Sequence, residues 1–236
     1  MSDEIRNPGE PKLFSIVAMV FVATLLISNI AAQKLFAFSS LTFTAGIILF
    51  PVTYIFGDCL TEVYGYSRTR KVIWTGFACN ILMALVLWIA IKLPPAEGWP
   101  LQEEFSSILG LVPRIVLASI VGFWVGEFAN SYVMAKMKIR TKGKWLAART
   151  ISSTIVGQFL DTVVFVLIAF LFVFDFGLLS KTIVYGWIFK VTYEVMATPL
   201  TCIVVSYLKR VEGFDYYDTD TDFNPFTLKD KGKDKS

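Results

Sequence analysis

The sequence predicts an all-α integral membrane protein with six transmembrane helices. Hydrophobic residues occupy 55% of the 236 positions and charged residues 17%, and the mean hydropathy is +0.61. The apolar residues form uninterrupted blocks instead of the amphipathic stripes of a soluble helical domain. Composition and patterning together exclude a soluble protein of this length.

Six of the apolar blocks are long enough to cross, as helices, a hydrocarbon core roughly 30 Å thick. They separate a cytoplasmic N-terminal tail (1–12), a six-span domain (13–210) and a cytoplasmic C-terminal tail (211–236). The C-terminal tail is polar and rich in Lys and Asp, so it is expected to be disordered. The predicted spans cover 13–32, 41–66, 72–93, 112–134, 148–174 and 178–208.

The distribution of lysine and arginine predicts that both termini face the cytoplasm. An even number of spans places the two ends on one side, and cytoplasmic loops carry more lysine and arginine than external ones. Basic residues cluster before the first span, in the second and fourth loops, and after the sixth span. We therefore expect a multi-pass protein of the cell inner (cytoplasmic) membrane. The basic residues assigned to the opposite side are Lys34, Lys92, Arg114 and Lys181.

Several function classes lack the residues that they require. The chain contains no histidine, which removes imidazole general bases and the usual zinc sites. Its three cysteines, Cys59, Cys79 and Cys202, lie in separate apolar segments without CxxC spacing. The sequence has no GxxxxGK[ST] nucleotide-binding loop, and topology explains its net charge of +3. We therefore expect no enzymatic activity, cofactor, bound metal or nucleic-acid partner.

The segment FGDCLTEVYGYSRTRK (56–71) places Asp58 and Glu62 directly after an apolar block. On a continuous helix from about residue 41, Asp58 lies roughly 15 Å from the inner end, near mid-membrane. The two carboxylates are spaced i, i+4, so they share a face and repel each other unless water, a cation or a donor-rich ligand separates them. The segment therefore indicates a binding site. The alternative is that both acids lie at headgroup level and pair with Arg68 and Arg70.

Other predicted spans also carry polar side chains at helical spacing. Each intramembrane charge costs a few kcal/mol or more on insertion, so a set of this size predicts a shared, partly hydrated cavity. Three acids in the fourth to sixth spans accompany one base, which leaves at least two acids to be protonated, hydrated or bound by a ligand. The alternative is a purely structural ion-pair network. Together with Asp58 and Glu62, the candidate binding residues are Asn29, Glu127, Asn130, Gln158, Asp161, Lys190 and Glu194.

Small residues recur on one face of the fourth predicted span, at Ala118, Gly122 and Gly126. Their i, i+4 spacing lets another helix approach this face closely. The partner helix is expected within the same chain, with a homodimer contact as the alternative. Pro51 and Pro199 interrupt the second and sixth spans, where a cavity or a neighbouring helix must satisfy the freed carbonyl groups.

Four segments resemble the queuosine precursor transporters, a branch of the vitamin uptake transporter family. They are GDCLTEVYGYSRTRK (57–71), GEFANSYVMAKMK (126–138), RTISSTIVGQFLDT (149–162) and EGFDYYD (212–218). The resemblance implies a compact six-helix bundle, similar in size and helix count to the substrate-binding subunits of energy-coupling-factor vitamin importers. It also implies import, without an ATPase partner, of 7-deazaguanine bases such as preQ0, preQ1 or queuine for tRNA-modification salvage.

The ligand implied by the resemblance suits these side chains. A guanine-like base offers an N1–H and an exocyclic amine on one edge, a pair of donors that one carboxylate accepts. We expect Gln158 and Asp161 to hold this edge, and Asn130, Gln158 or Lys190 to donate to the carbonyl and ring nitrogens. Four aromatic side chains near the polar positions are candidates for stacking on the base, although each by itself is expected to be ordinary core or interface packing: Phe56, Tyr64, Trp124 and Tyr193.

Two alternative functions remain open from the sequence. One is a substrate-binding subunit of an ATPase-driven vitamin importer, or a transporter of another vitamin-like heterocycle; in the subunit case the small-residue face is the candidate docking groove. The other is an intramembrane enzyme, for which the chain offers no Ser-Lys dyad or metal-ligand cluster. Import is expected to be coupled to protonation of one carboxylate, with Asp58 and Glu62 best placed to release a proton inward, or else to run downhill.

Overall fold

The computed structural model describes residues 11–31, 33–38, 41–110, 113–172, 175–219 and 221–227, which form a helical bundle with one short hairpin. The two strands of the hairpin are antiparallel, with Leu35 opposite Thr44 and Phe38 opposite Leu41. The elements are α1 (Phe14–Ala31), β1 (Leu35–Phe38), β2 (Leu41–Thr44), α2 (Phe50–Cys59), α3 (Tyr66–Lys92), α4 (Gln102–Leu109), α5 (Pro113–Thr141), α6 (Leu146–Phe170) and α7 (Phe176–Glu212).

The predicted helical membrane class is confirmed. Four of the described helices are long and apolar enough to cross a membrane. Their outer faces carry exposed apolar side chains, such as Leu82 and Trp88 on α3, which suits contact with lipid. The four helices span Phe14–Ala31, Tyr66–Lys92, Leu146–Ile168 and Leu179–Glu212.

The second predicted span is wrong as a single helix over 41–66. The chain instead forms the β1–β2 hairpin, a 3₁₀ turn over Ala45–Ile48, and then α2, which has Pro51 in its first turn. Thr42, Phe43 and Thr44 favour a strand because threonine is β-branched and phenylalanine is aromatic. Proline suits a first helical turn because no N–H is needed there. α2 continues into a π-helical turn over Leu60–Tyr64 and stops at Gly65, whose φ of +86° favours glycine.

The inner loops are shorter than the sequence predicted, and several of their basic residues lie on helices. α3 already begins at Tyr66, so the basic residues of the first inner loop occupy its first two turns. α5 also extends past its predicted end and carries Lys138, and α6 carries Arg149 in its first turn. Both of these side chains are buried. Buried cations need acidic partners, so these two residues belong to the interior of the bundle.

α5 and α6 form the most extensively packed pair of helices, an antiparallel hairpin. A Cβ added at Gly126 would lie 2.6 Å from the Asp161 Cβ and 2.8 Å from the Gly157 carbonyl oxygen. A Cβ added at Gly122 would lie 2.9 Å from the Asp161 carbonyl oxygen. The small-residue face therefore packs within the chain, as predicted, because glycine lets the two backbones approach. α7 packs on α6 and α2, and α1 packs on α2 and α3.

Part of the C-terminal tail packs against the start of α3. Both carboxylate oxygens of Asp218 accept from the Tyr66 N–H, each at 3.0 Å. The Arg70 guanidinium donates to the carbonyl oxygens of Asp222 and Asn224, each at 2.7 Å. These contacts satisfy an N–H group that a helix start leaves without an intrahelical acceptor, and they provide hydrogen-bond acceptors for a buried guanidinium group.

The tail is therefore not disordered over its described part. Residues 213–219 and 221–227 contact the bundle, whereas 228–236 lie outside the described residues. Composition predicted disorder because the tail is polar. Its oxygen atoms, however, find donors on α3 and α5 that are remote in sequence.

Candidate functional site

A cluster of polar side chains lies between α2, α5, α6 and α7. All but the lysine of this cluster are buried, so the helices enclose it. Each helix contributes two side chains three or four residues apart, which places both on one face. We call this set the polar cluster; its members are Tyr54, Asp58, Glu127, Asn130, Gln158, Asp161, Lys190 and Glu194.

Asp58 on α2 is bound by an amide from α5. The Asn130 Nδ2 donates to the Asp58 Oδ1 at 2.8 Å. The two helices are close here because Gly57 packs directly against the Glu127 carboxylate, and a Cβ added at this glycine would overlap the carboxylate. The i, i+3 spacing of Glu127 and Asn130 thus directs both side chains towards α2.

Glu127 and Glu194 carry carboxylates without donors. Both side chains have 0% exposure, and none of their carboxylate oxygens has a hydrogen-bond partner within the described part of the chain. Glu127 lies within electrostatic reach of Asp58, Glu194 and Asp161. Burying an ionised carboxylate without donors is costly. These two groups therefore need protons, or donors from a bound molecule.

Asp161 and Lys190 form an ion pair between α6 and α7. The lysine side chain retains 27% of its exposure, whereas the carboxylate retains 9%. This pair is the structural neutralisation that the sequence analysis considered as an alternative. Because its carboxylate already binds an ammonium group, Asp161 is a weaker candidate than Glu127 or Glu194 for holding a ligand edge.

Tyr54 belongs to the polar cluster but was not among the predicted site residues. Its side chain is buried, its hydroxyl lies beside Gln158, and the ring is within electrostatic reach of Glu127 and Glu194. A signal was present in the sequence, because Tyr54 precedes Asp58 by four residues and so shares its helical face.

The aromatic side chains expected to stack on the ligand have other surroundings. The Tyr64 hydroxyl donates to a Glu212 carboxylate oxygen at 2.8 Å. Trp124 packs among aromatic rings of α3, and Phe56 packs against the apolar core. Tyr193 is 39% exposed. The structure thus supports Tyr54, rather than these four, as the aromatic neighbour of the polar cluster.

Glu62 lies in a separate network of buried ion pairs. The Arg149 guanidinium binds both of its carboxylate oxygens, with Nη2 at 3.0 Å from Oε1. The Lys209 Nζ lies 2.6 Å from the same Oε1. The Lys138 Nζ donates to the Glu62 carbonyl oxygen at 2.5 Å. We call Glu62, Arg149, Lys138, Lys209 and the tail residue Asp215, which both lysines contact, the ion-pair network.

The expected pairing of Asp58 and Glu62 across a shared ligand is therefore wrong. The π-helical turn between them changes the regular helical offset, and Asp58 meets Asn130 whereas Glu62 meets Arg149. The basic partners of Glu62 lie on α5, α6 and α7, so spacing along its own segment did not reveal them. For this reason the sequence suggested that Glu62 needs a bound ligand, whereas the chain itself supplies its cationic partners.

Asn29, another predicted site residue, lies apart from the polar cluster. Its side chain donates to the Asn80 side chain, which joins α1 to α3. The Asn80 amide in turn donates to the Gly76 carbonyl oxygen at 2.9 Å. This arrangement is a buried structural contact, in which polar groups on neighbouring helices satisfy each other.

The polar cluster can accept several hydrogen bonds from a bound molecule. Glu127 and Glu194 are acceptors, the Asn130 Oδ1 has no donor within the described residues, and the Gln158 amide both donates and accepts. No group of three or more potential metal ligands comes together in the part of the chain that the structure describes. The chemistry suits a small organic molecule with several N–H groups.

Comparisons with known proteins find relatives over the part of the chain that holds the polar cluster. Residues 44–204 match the family described as "Putative vitamin uptake transporter". A "Probable queuosine precursor transporter" of Bacillus subtilis (strain 168) is 25% identical over 173 residues, which cover 73% of this chain and 76% of the relative. No solved structure matches the chain.

Proposed function

The chain belongs to the vitamin uptake transporter family, and we propose that it imports a 7-deazaguanine base, a queuosine precursor, for tRNA-modification salvage. Family membership and the apolar helices make it a membrane transporter of a vitamin-like substrate. The Bacillus subtilis relative, a "Probable queuosine precursor transporter", supports the narrower substrate class.

The observation that carries this proposal is the pair of buried, unpartnered carboxylates of Glu127 and Glu194 beside the Gln158 amide. One carboxylate accepts the N1–H and exocyclic amine of a guanine-like edge as two parallel hydrogen bonds. The Gln158 amide donates to the carbonyl oxygen of the base, and the Tyr54 ring lines the same space. Asp58 and Asn130, which are hydrogen-bonded to each other at 2.8 Å, form another part of the binding site.

We propose six membrane crossings with both termini in the cytoplasm. α2 and its π-helical turn together contain fifteen residues, Phe50–Cys59 and Leu60–Tyr64, about 22 Å at the α-helical rise. This length is shorter than a hydrocarbon core of about 30 Å, so the proposed crossing also includes the 3₁₀ turn over Ala45–Ile48 and the hairpin that precede α2. α5, with 29 residues, supplies the other crossing beyond the four apolar helices.

The proposal includes transport without an ATPase partner. The small-residue face was the candidate docking groove for such a partner, but Gly122 and Gly126 pack on α6 instead. That groove is therefore not free, which favours an importer that works alone over a subunit of a larger ATPase-driven importer.

Uptake into liposomes that contain only the purified protein tests the proposal. We expect saturable uptake of radiolabelled preQ1 or preQ0, competition by the unlabelled base, and no competition by adenine, whose edge lacks the paired N1–H and exocyclic amine. Glu194→Gln should reduce this uptake, whereas Glu104→Gln, at an exposed position on α4, should leave it intact. Absence of saturable uptake of either base would refute the proposed substrate class.

The same liposomes distinguish proton-coupled from downhill transport. Glu127 and Glu194 replace Glu62 as the carboxylates suited to carry a proton, because Glu62 already has three cationic neighbours. If protons are coupled, an acidic exterior raises the accumulation ratio and a protonophore abolishes the rise. Equal concentrations inside and outside, unchanged by either treatment, would indicate facilitated transport.

A further inference from the structure

The charges of the polar cluster do not balance within it. It contains four acids, Asp58, Glu127, Asp161 and Glu194, and one base, Lys190, which is paired with Asp161. The neighbouring ion-pair network holds three bases and two acids. Its surplus of one positive charge is smaller than the deficit in the polar cluster.

Glu127 lies at the centre of this negative field. Asp58, Glu194 and Asp161 are all within its electrostatic reach, and no cation is paired with it in the part of the chain that the structure describes. Since like charges raise the electrostatic cost of ionisation, this position is the most favourable one in the polar cluster for a bound cation.

Glu194 has a different setting. The acids close to it are Asp58 and Glu127, and Lys190 lies one helical turn before it on α7. Fewer acids therefore lie close to Glu194 than to Glu127. A carboxylate in this setting suits a neutral donor pair such as the guanine-like edge, for which Gln158 and Tyr54 supply the adjacent polar groups.

Building on the proposed function, we infer that the transporter selects 7-deazaguanine bases that carry a protonated aliphatic amine over neutral ones, and that Glu127 binds the ammonium group. Glu194 then accepts the N1–H and exocyclic amine of the base. A cationic base brings a positive charge into a cluster with surplus acids, whereas a neutral base leaves that surplus uncompensated. Glu127 thus binds the charged amine, and Glu194 binds the heterocycle.

Binding to the purified full-length protein in nanodiscs tests the inference. The probes are preQ1, with a 7-aminomethyl group that is protonated at neutral pH, preQ0, with a neutral 7-cyano group, and the N-acetylated form of preQ1, which is neutral but no smaller. The wild-type protein should bind preQ1 about tenfold or more tightly than either neutral base, the range of one charge-assisted hydrogen bond. The acetylated base separates the effect of charge from that of size.

Two matched variants separate the two carboxylates. Glu127→Gln should reduce the preference for preQ1 about tenfold, so that the three affinities converge. Glu194→Gln should weaken all three bases by a similar factor and keep the preference. Since each change replaces a buried carboxylate that lacks donors with a neutral amide of the same shape, neither variant should lower the melting temperature of the ligand-free protein.

The outcomes distinguish the inference from the proposed function. If wild-type protein binds preQ1 and preQ0 equally, or if Glu127→Gln keeps the preference, charge selection by Glu127 is overturned while import of the bases stands. If wild-type protein binds none of the three bases, the proposed function fails, and the inference fails with it. The wild-type ratio tests selection by charge even if a variant does not fold, and Glu127→Gln assigns that selection to Glu127.

Discussion

The guanidinium of Arg149 binds the carboxylate of Glu62 in the interior of the bundle through two hydrogen bonds, from Nη1 to Oε2 and from Nη2 to Oε1 at 3.0 Å. Both side chains have 0% exposure. A fork of two charge-assisted hydrogen bonds compensates for the loss of water around both ions only when the geometry is good. Arg149 also donates to the Gly143 and Lys144 carbonyl oxygens, each at 3.1 Å, so this residue joins the α5–α6 loop to α2.

Removing the negative charge of Glu62 should destabilise the protein without a direct effect on the ligand site. Glu62→Gln leaves three cations, Arg149, Lys138 and Lys209, with Asp215 as the remaining acid of the ion-pair network. Breaking a buried ion pair from one side costs about 3–5 kcal/mol. Chemical unfolding in detergent measures this loss. Glu104→Gln on the exposed face of α4 is the control, and equal stability of the two variants would contradict the structural role.

Gly126→Ala should push α5 away from α6. The new Cβ would lie 2.6 Å from the Asp161 Cβ, closer than carbon atoms tolerate, so the helices must separate and disturb the Asp161–Lys190 ion pair. Overpacking of this kind costs about 1–3 kcal/mol, and uptake should fall as well. Gly186→Ala is the matched control, because its Cβ would lie 3.5 Å from Thr162 Cγ2, an ordinary contact. If Gly186→Ala destabilised the protein as much as Gly126→Ala, overpacking between α5 and α6 would not explain the effect.

Docking of the C-terminal tail should strengthen as the pH falls. Burial raises the pKa of Asp218 above its ordinary value, although hydrogen bonds from the Tyr66 N–H and Thr221 oppose the change. Because the pKa is higher in the docked state than the free value of about 3.9, protonation favours docking. The contribution of Asp218 protonation to docking is complete when the pH is below the pKa of the free carboxyl group. It is lost as the pH rises through the raised pKa of the docked state.

Hydrogen exchange of the amides of 214–219, corrected for the intrinsic effect of pH, measures this dependence. Asp218→Asn resembles the protonated carboxyl group and should make protection of these amides independent of pH over the same window. A variant that keeps the wild-type pH dependence would assign the effect to another group.

Reporter fusions should place both ends of the chain in the cytoplasm. A reporter fused after Arg210 is expected to report the cytoplasmic side, and one inserted into the loop over 94–102 the external side, because lysine and arginine are concentrated on the side of the termini. Activity of both reporters on the same side would refute the proposed six crossings.

The sequence by itself determined the class of the protein and the packing of the small-residue face. These properties depend on side chains and on spacing along one helix. Apolar blocks identify helices that suit lipid, and i, i+4 spacing placed Gly122 and Gly126 on one face. Glu127, Asn130, Gln158 and Glu194 were selected in this way, and the structure brings them together between four helices.

Only the tertiary structure decided which acids are neutralised and which are not. Ion pairing depends on distances between residues that are far apart in sequence, as with Arg149 and Glu62, 87 positions apart. Hydropathy and helical spacing do not report such distances, so they could not show that Glu62 is already paired. Glu127 and Glu194 were selected from the sequence by the same polar pattern as Glu62, but no described group donates to their carboxylate oxygens, and the neighbours of Glu127 include Asp58, Asp161 and Glu194.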